Sequence, residues 1–409
     1  MKIAIMGAGF TGLTAALRLA KLGHQITVFE KESTVGGLAA GFKEKGWDWF
    51  VDKTYHHLFT NDIYAIHLAR EVNQKLITKQ PETAVLVDNK MSAFDSPITL
   101  LKFSHLTVFN RFRVGICTFY LKYLSSAETF ESRFALDWLN KFMGESATKT
   151  IWDPLFEGKF GSQKYTISLT WFWARIKKRT QSLVYPEGGF QHFAEKISQE
   201  ITDLGGKIIL DTEIKTLKKG FDKTIITLPT PTFTKITKLP KPYQKRLDSI
   251  PHLSALNLII KLKKPFFTNG TYWLNITDKS FPFLVMAEHT NFMNKKYYNN
   301  QHILYIGCYL PADHPYLKMS GEKLFKVFDP YLKKINPNYA LCPKPLNLFT
   351  FSNAQPIVTP NHKTKIPAFK TPLKNVFLAN LDMVYPWDRG VNYAINLGEE
   401  VAKMVNGEK

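Results

Sequence analysis

Near its start the chain reads Lys2-Ile3-Ala4-Ile5-Met6-Gly7-Ala8-Gly9-Phe10-Thr11-Gly12. The apolar run before Gly7 predicts a strand, and residues 13–22 carry apolar side chains on one face, which predicts a helix that Gly23 ends. A second strand is predicted from Gln25 to Phe29, directly before Glu30. Strand, glycine turn, helix, strand and acid in this order predict a βαβ unit of a parallel, Rossmann-like α/β sheet.

The residues of this unit have the pattern of a dinucleotide site. Gly7 permits the tight turn, Gly9 lets a pyrophosphate approach the backbone, and Gly12 lets the helix pack closely on the sheet. The helix N-terminus favours a phosphate, and the Glu30 carboxylate is placed to accept the hydroxyls of a ribose. The remaining candidate binding residues of this stretch are Ala8, Phe10, Thr11 and Lys31.

A second glycine pair, Gly36-Gly37, follows Glu30 within the run Lys31 to Ala39. Here the chain resembles the flavin family that joins amine oxidases, protoporphyrinogen oxidases and carotenoid desaturases, together with its relative UDP-galactopyranose mutase. The resemblance implies that the cofactor is FAD, and that Gly36, Gly37, Leu38 and Ala39 lie along its diphosphate.

Two later blocks extend the resemblance. Residues 185–190 contain a Pro-x-Gly-Gly turn before a predicted helix and strand, and the resemblance places Ile214 against the adenine. Near the C-terminus, Gly390-Val391-Asn392 match the start of the family's last helix, which closes the flavin site. The family has an acid at the end of the preceding strand, where this chain has Asn380.

These blocks predict a discontinuous FAD-binding domain formed by residues 1–96, 181–250 and 351–409. Residues 97–180 are predicted to form a helical region over the substrate cavity. Residues 251–350 contain short alternating apolar runs, which predict an antiparallel sheet under the substrate. The predicted fold class is therefore α/β for the cofactor domain, with an α+β substrate domain.

The candidate catalytic residues come from three places in the chain, and each has a structural alternative. The resemblance places His56 and His57 beside the flavin ring, where a histidine could hydrogen-bond the ring or handle a proton, although either could instead pack in a loop. Trp387 and Arg389 are implied to lie near the ring as well. Lys159 and Arg175, in a stretch rich in aromatic residues, could bind an anionic substrate group or simply extend to water. No third ligand accompanies the two histidines, so no metal site is predicted.

Net charge and composition indicate which kinds of partner and which cellular environment to expect. The 409 residues carry a net charge of +20, but no nucleic-acid module is visible, so no nucleic-acid partner is expected. An aromatic stripe with interspersed basic residues between Pro97 and Leu124 is typical of buried core, yet it would also suit peripheral contact with an anionic membrane. Three isolated cysteines fit a reducing, cytoplasmic environment. The pattern does not predict the oligomeric state.

The resemblance implies an FAD-dependent oxidoreductase that oxidises or desaturates a small organic substrate, apolar or carrying an anionic group, by hydride transfer to flavin N5. A redox-neutral isomerase like UDP-galactopyranose mutase is the first alternative, because residues 57–62 resemble a stretch of that enzyme. A non-catalytic FAD-binding partner protein is the third possibility.

Overall fold

The computed structural model describes residues 1–407, except for the side chains of residues 343–345. The last two residues of the predicted 351–409 segment therefore lie outside the described part of the chain. The strands are β1 Lys2–Met6, β2 Gln25–Phe29, β3 Gly41–Phe42, β4 Val51–Asp52, β5 Leu58–Phe59, β6 Leu76–Lys79, β7 Glu82–Val87, β8 Lys90–Ala93, β9 Leu183–Pro186, β10 Lys207–Ile209, β11 Lys223–Ile226, β12 His252–Leu262, β13 Thr271–Ile276, β14 Val285–Glu288, β15 His302–Leu310, β16 Leu341–Pro356 and β17 Val376–Leu378. The α-helices are α1 Phe10–Lys21, α2 Ile63–Glu71, α3 Pro97–Leu101, α4 Val108–Phe119, α5 Ala135–Phe142, α6 Glu145–Ala147, α7 Asp153–Phe160, α8 Leu169–Lys178, α9 Phe190–Asp203, α10 Thr230–Ile236, α11 Lys241–Asp248, α12 His289–Phe292, α13 Gly321–Ile335 and α14 Val391–Asn406.

The first sheet is parallel and has the strand order β10-β2-β1-β11-β17. Its central strand β1 pairs with β2 on one side and with β11 on the other, and Ile3 through Met6 are fully buried. A continuous apolar run is what a strand covered on both faces requires. The strand, turn, helix and strand predicted from residues 2–29 are therefore confirmed.

The second sheet has seven strands in the order β16-β12-β15-β14-β13-β7-β8. Its neighbours pair antiparallel, except for β13 and β7, which run parallel. The predicted antiparallel sheet is present, but its membership differs from the predicted boundaries. Strands β7 and β8 lie before residue 96 yet join this sheet because β7 pairs with β13, and β16 runs across the predicted boundary at residue 350.

The helical region between residues 97 and 180 packs around a core that also includes Val85 and Leu253 of the second sheet. Side chains from α5, α7 and α8 pack together there, with Leu139 and Phe172 almost fully buried. Helix α4 contributes only Val114 to the buried set of this core, and a π-helical turn, Tyr120–Leu124, follows it. Most of the aromatic stripe on α4 is therefore on the surface.

Helices α1 and α14 pack closely at a glycine. A β-carbon on Gly398 would lie 2.6 Å from the carbonyl oxygen of Thr11 and 2.6 Å from the β-carbon of Thr14. Only a glycine permits this approach of the two helices. The packing joins the helix that follows β1 to the helix that ends the chain, so the first and last blocks of the sequence meet in space.

Candidate functional site

The turn between β1 and α1 needs glycine at two positions for reasons internal to the protein. Gly7 has a φ of +110°, and a β-carbon there would lie 2.6 Å from Oγ1 of Thr227. A β-carbon on Gly12 would lie 2.0 Å from the carbonyl oxygen of Gly7. The tight turn and the close helix packing expected from the sequence are both present.

Gly9 is different, because neither backbone strain nor packing requires a glycine there. It is the N-cap of α1 with a φ of −73°, which any residue adopts. A β-carbon on Gly9 would meet only the Cα of Gly37, at 3.8 Å. The space beside this helix N-terminus is thus open, which fits a pyrophosphate that approaches the bare backbone.

The second glycine pair adjoins this open space. The N–H of Gly36 donates to the carbonyl oxygen of Ala8 at 2.9 Å, and a β-carbon on Gly37 would lie 2.9 Å from the Cα of Gly9. Leu38 lines the large cavity described below, whereas Ala39 is buried in the main core. The two glycine turns form one surface of uncovered backbone beside α1.

Glu30 lies at the same end of the parallel sheet. Its side chain is 8% exposed, and its carboxylate accepts hydrogen bonds from the N–H of Ala8 at 2.8 Å and of Glu32 at 3.1 Å. The acid is therefore held against the glycine turn. Lys31, next to it, is exposed and forms an ion pair with Glu32 at 3.2 Å.

Other candidates from the glycine blocks have mainly structural contacts. Phe10 packs on Phe193, and Thr11 is buried in α1. Ile214 lies in a loop after β10 and packs in a small core with Ala4 and Met6. Asn380 donates from its amide nitrogen to the carbonyl oxygen of Leu228 and to the hydroxyl of Thr230, both at 3.0 Å. An aspartate could not donate these two bonds, which gives a local reason for the amide.

The N-terminus of α14 presents a second open glycine. Gly390 is its N-cap with an extended backbone, and no atom would lie within 4 Å of a β-carbon there. Oδ1 of Asn392 accepts the N–H of Ala65 at 3.1 Å, while its buried Nδ2 has no partner in the described part of the chain. Gly390, Val391 and Asn392 all line the large cavity, so this donor is available to a bound group.

The cavity that these residues line has a volume of about 270 Å³. Its walls combine the α14 N-terminus with residues of the second sheet and of the helical region, among them Asn257, Tyr272 and Arg175. Five basic side chains line it against three acidic ones: Lys159, Arg175, Lys178, Arg179 and Arg389, with Asp62, Asp95 and Asp388. The cavity thus carries an excess of positive charge.

Both candidate histidines line the cavity. Nδ1 of His56 donates to the carbonyl oxygen of Thr54 at 2.8 Å, and Nδ1 of His57 lies 3.3 Å from the hydroxyl of Tyr272. Burial lowers the pKa of His56 to about 4, and burial together with Arg179, His56 and Arg175 lowers the pKa of His57 to about 3. Both rings are therefore neutral near pH 7. The geometry favours hydrogen bonding by these histidines over the proton transfer near neutral pH that the sequence also suggested.

Arg175 and Arg389 both line the cavity, as does Asp388. The guanidinium of Arg175 donates to Oδ2 of Asp388, and the guanidinium of Arg389 donates from Nε to Oε1 of Gln355 at 2.8 Å and from Nη2 to the hydroxyl of Tyr309. Burial by itself would raise the pKa of Asp388, but Lys159, Arg175 and Arg389 together hold it well below its usual range. Asp388 is thus a carboxylate surrounded by cations.

Of the candidate catalytic residues, Trp387 is the one that does not line the large cavity. Its ring stacks between those of Trp173 and Tyr393, at centroid distances of 5.3 and 5.8 Å. Tyr393 lines the large cavity and Trp387 lies behind it, beside a small second cavity that it shares with Arg389. The ring supports the wall rather than forming it.

Lys159, which the sequence pairs with Arg175 as a candidate, lines the cavity, and so do Tyr309 and Asp388, which were not among the candidates. Lys159 is 7% exposed, and its ammonium lies 4.9 Å from the ring centroid of Trp171 and 4.8 Å from that of Tyr309. It forms no hydrogen bond or ion pair within the part of the chain that the structure describes. A lysine among aromatic residues was the one signal in the sequence; Tyr309 is a strand residue that no local pattern distinguishes.

The described residues contain neither a membrane-spanning helix nor a cluster of metal ligands. Within residues 1–407, no helix has the length and apolarity needed to span a bilayer. No group of three or more histidine, cysteine, aspartate or glutamate side chains is arranged to hold a metal ion in that same range.

Comparison with known proteins places this chain in a protein family. The family model described as "Flavin containing amine oxidoreductase" matches residues 10–406. A 4,4'-diapophytoene desaturase of Staphylococcus haemolyticus is 47% identical over 64 residues, which are 16% of this chain and only 12% of the desaturase. That relative therefore resembles one segment of this chain and not the whole.

Solved structures share the fold over nearly the full chain. An oxidoreductase from Methanosarcina mazei has a TM-score of 0.77 at 17% identity, covering 98% of this chain and 99% of its own. Reduced UDP-galactopyranose mutase has a TM-score of 0.78 at 16% identity, covering 99% and 95%. At these identities the structures show a common fold alone.

The α/β fold class, the flavin cofactor FAD, the oxidoreductase class and the resemblance inferred from residues 2–39, 185–214 and 375–392 are thus confirmed. By the match of residues 10–406, the chain belongs to the family of flavin-containing amine oxidoreductases.

Proposed function

We propose that this protein oxidises or desaturates an organic substrate that combines an apolar body with an anionic group. The observation that carries the proposal is the 270 Å³ cavity, which adjoins the open N-terminus of α14 and has more basic than acidic side chains in its walls. Aromatic and aliphatic residues such as Tyr272, Trp273 and Leu284 complete those walls. Such a lining suits an apolar ligand that is oriented by a few polar contacts.

The open backbone surfaces support the assignment of FAD to this chain. We assign the diphosphate to the surface formed by Gly9 and Gly36–Gly37 and the adenosine ribose to Glu30. Asn392 and the free N–H groups at the start of α14 are assigned to the ring end of the cofactor, where a helix N-terminus stabilises negative charge. Ala8, Lys31, Leu38, Ile214 and Asn380 remain proposed neighbours of the cofactor. When bound, the flavin supplies a hydride acceptor.

Recognition of an anionic group is assigned to Lys159, Arg175 and Arg389. One carboxylate, Asp388, faces all three of these cations, so a second negative charge would be stabilised between them. Arg389 and Arg175 are held in place by Gln355, Tyr309 and Asp388, and are therefore ordered before a substrate binds. Lys159 has no such partner and is the group whose hydrogen bonds a ligand would satisfy.

His56 and His57 are proposed to orient the substrate and the cofactor through hydrogen bonds. Since both rings are neutral, each has one nitrogen that donates and one that accepts. In His56 the proton of Nδ1 is committed to the carbonyl oxygen of Thr54, so Nε2 is left as an acceptor. A neutral acceptor there can hold a donor group of a ligand without adding charge.

One observation favours the alternative reaction, a redox-neutral isomerisation. His57, Phe59 and Asp62 from the stretch that resembles UDP-galactopyranose mutase all line the cavity, and burial raises the pKa of Asp62 to about 6.

An experiment that follows the oxidation state of the flavin separates the two reactions. The oxidised flavoprotein is mixed without oxygen with candidate substrates, and its visible absorbance is recorded.

Candidates for that experiment are organic amines and unsaturated carboxylic or phosphoric acids, together with any small molecule extracted from the purified protein. An oxidoreductase bleaches in proportion to added substrate and regains colour with oxygen or another acceptor. An isomerase converts its substrate only when the flavin has been reduced beforehand, and it consumes no acceptor. Conversion without bleaching would therefore overturn the proposed oxidation.

Peripheral contact with an anionic membrane, suggested by the charge and the aromatic stripe, is retained as a proposal. It is supported by the exposed aromatic and aliphatic side chains on the surface of the helical region.

A further inference from the structure

The surface of α3 and α4 carries a concentration of exposed apolar side chains. Of the eighteen exposed large apolar side chains in the described residues, ten fall between residues 98 and 124. They are Ile98, Leu101, Val108, Phe109, Phe112, Ile116, Phe119, Tyr120, Tyr123 and Leu124, and we call them the apolar face.

The central residues of this face are far from buried. Phe109 is 72% exposed, Ile116 is 69% exposed and Tyr123 is 61% exposed. Together with Phe112 and Phe119 they recur at intervals of three and four residues, which places them on one side of a helix. The opposite side is fastened to the protein by Val114 and Leu121, which are 1% and 0% exposed. Core packing thus explains the buried side of α4 and leaves the apolar face unexplained.

The charged residues of the segment that carries the face, Lys and Arg alone, have one sign. Residues 97–124 contain Lys102, Arg111, Arg113 and Lys122 but neither aspartate nor glutamate. None of these four residues forms an ion pair with a carboxylate of the described chain. The guanidinium of Arg111 donates to the carbonyl oxygens of Leu101 and Leu106, so it joins α4 to α3 and keeps its charge uncompensated.

This combination points to one kind of partner. We infer that the apolar face docks on a lipid bilayer with anionic headgroups, with the aromatic side chains of α4 in the interfacial layer and the four basic residues among the headgroups. Aromatic residues and flanking cations are the groups that such an interface binds. A second copy of the chain fits poorly, because it would bring the same cations, and a net charge of +20, against themselves.

The segment that carries the apolar face is connected to the lining of the substrate cavity at two points. Lys122 donates to the carbonyl oxygen of Arg179, and Arg179 lines the cavity. On the other side, Asp95 lines the cavity and immediately precedes Ser96, the N-cap of α3. A docked protein would therefore hold this part of the cavity wall near the membrane. Resting on the proposed function, this placement assigns the substrate to the amphiphiles that reside in a bilayer and have an acidic headgroup.

The test uses vesicles and the complete holoprotein. Wild-type protein is co-sedimented with phosphatidylcholine vesicles and with vesicles containing equal parts of phosphatidylcholine and phosphatidylglycerol, at low and at high salt. The double variant Phe109→Ser/Ile116→Ser removes two exposed members of the face. Ile63→Ser/Leu204→Ser is the matched control, since Ile63 and Leu204 are 51% and 45% exposed elsewhere on the surface.

We expect binding to the anionic vesicles that weakens with salt and falls by roughly tenfold or more in the Phe109→Ser/Ile116→Ser variant, while the control binds like the wild type. Flavin content and melting temperature of both variants should match the wild type, so a loss of binding cannot be attributed to unfolding. Vesicle binding requires no substrate turnover, which keeps this outcome separate from a failure of the proposed reaction. Absence of vesicle binding, or binding that the Phe109→Ser/Ile116→Ser variant retains, would overturn the inference. A wild-type dimer that this variant dissociates, without vesicle binding, would assign the face to a second copy and overturn it as well.

Discussion

Gly9 and Gly37 approach each other so closely that a β-carbon on Gly37 would lie 2.9 Å from the Cα of Gly9. Twenty-eight positions apart in sequence, they bring two glycine turns into one surface of exposed backbone. The parallel bridge between Gly9 and Gly36 holds this arrangement.

Replacing Gly37 with alanine should separate the two turns. Gly37 has a φ of +58°, which disfavours a side chain, and the added carbon would collide with the backbone of Gly9. We expect the free energy of unfolding to fall by about 1–3 kcal/mol and flavin affinity to fall by about tenfold or more. Denaturant unfolding of the apoprotein and fluorescence titration with FAD measure the two effects. Gly321→Ala is the control, because its β-carbon would make only an ordinary contact of 3.6 Å with Leu348.

Replacing Gly9 with alanine should affect the cofactor and not the fold. The new β-carbon would meet only the Cα of Gly37, at 3.8 Å, and the backbone of Gly9 suits any residue. We expect the apoprotein to unfold within about 0.5 kcal/mol of the wild type, whereas FAD affinity falls by about tenfold or more. The same unfolding and titration experiments report both quantities. An unchanged FAD affinity would show that the open space beside α1 is not the diphosphate site.

Replacing His57 with glutamine should make the protein less sensitive to acid. Burial lowers the pKa of His57 to about 3, whereas the unfolded chain protonates this ring near pH 6.5. Between about pH 3 and about pH 6.5 the unfolded chain therefore binds more protons than the folded chain. The free energy of unfolding falls as the pH falls through this range, and the contribution of the neutral His57 is fully present above about pH 6.5. The melting temperature should drop less in His57→Gln than in the wild type between about pH 7 and about pH 5.

The wild type is the necessary reference for that measurement. Burial raises the pKa of Asp62 to about 6, which gives a slope of opposite sign between about pH 4 and about pH 6. Asp62 is present in both proteins, so its contribution cancels in the difference. Equal losses of melting temperature would contradict the assignment of a buried, neutral His57.

Replacing Lys159 with methionine should stabilise the protein and impair ligand binding. Lys159 is 7% exposed among aromatic rings, and burial, followed by Arg175 and Arg389, lowers the pKa of its ammonium. An apolar side chain of similar length removes the cost of burying an amine without hydrogen-bond partners, so we expect a gain of about 1–2 kcal/mol. Differential scanning calorimetry of the apoprotein measures the gain.

The same variant tests the proposed anionic-group site. Hexanoate and hexyl phosphate are suitable probes, and their binding to Lys159→Met should be weaker by about tenfold than to the wild type in isothermal titration. Lys245→Met, at an exposed position of α11, should bind the probes like the wild type. If Lys159→Met lost stability and kept its affinity, Lys159 would be a structural residue.

Local patterns in the sequence were sufficient for the elements that carry the cofactor assignment. The strand β1, the glycine turn and helix α1 are contiguous, and each has a local physical reason, namely apolar β-branched residues, missing side chains and helical periodicity. The α14 N-terminus at Gly390 was located instead by the resemblance to the flavin family. Asn380 could be located by the same comparison, but its hydrogen bonds to Leu228 and Thr230 could not, because they cross from one segment to another.

Side-chain environments in the cavity were not accessible from local patterns. The sequence marked His56 and His57 as groups that could transfer a proton near neutral pH, and only burial revealed that their pKa values are about 4 and about 3. The aromatic stripe on α4 had the periodicity of buried core, yet Phe109 and Ile116 are exposed. Periodicity shows that apolar residues share a face of a helix and does not show whether another element covers that face.

By itself the sequence determined that this chain begins with a dinucleotide-binding βαβ unit, contains further flavin-family blocks and has a strong excess of positive charge. The tertiary structure alone decided which distant residues meet: Gly9 with Gly37, Arg175 with Asp388, and Arg389 with Tyr309. It also decided which cations surround a single carboxylate and which apolar side chains face solvent. The physical reason is that strand propensity, turns and helix periodicity are properties of neighbouring residues, whereas burial and electrostatic coupling depend on contacts across the whole chain.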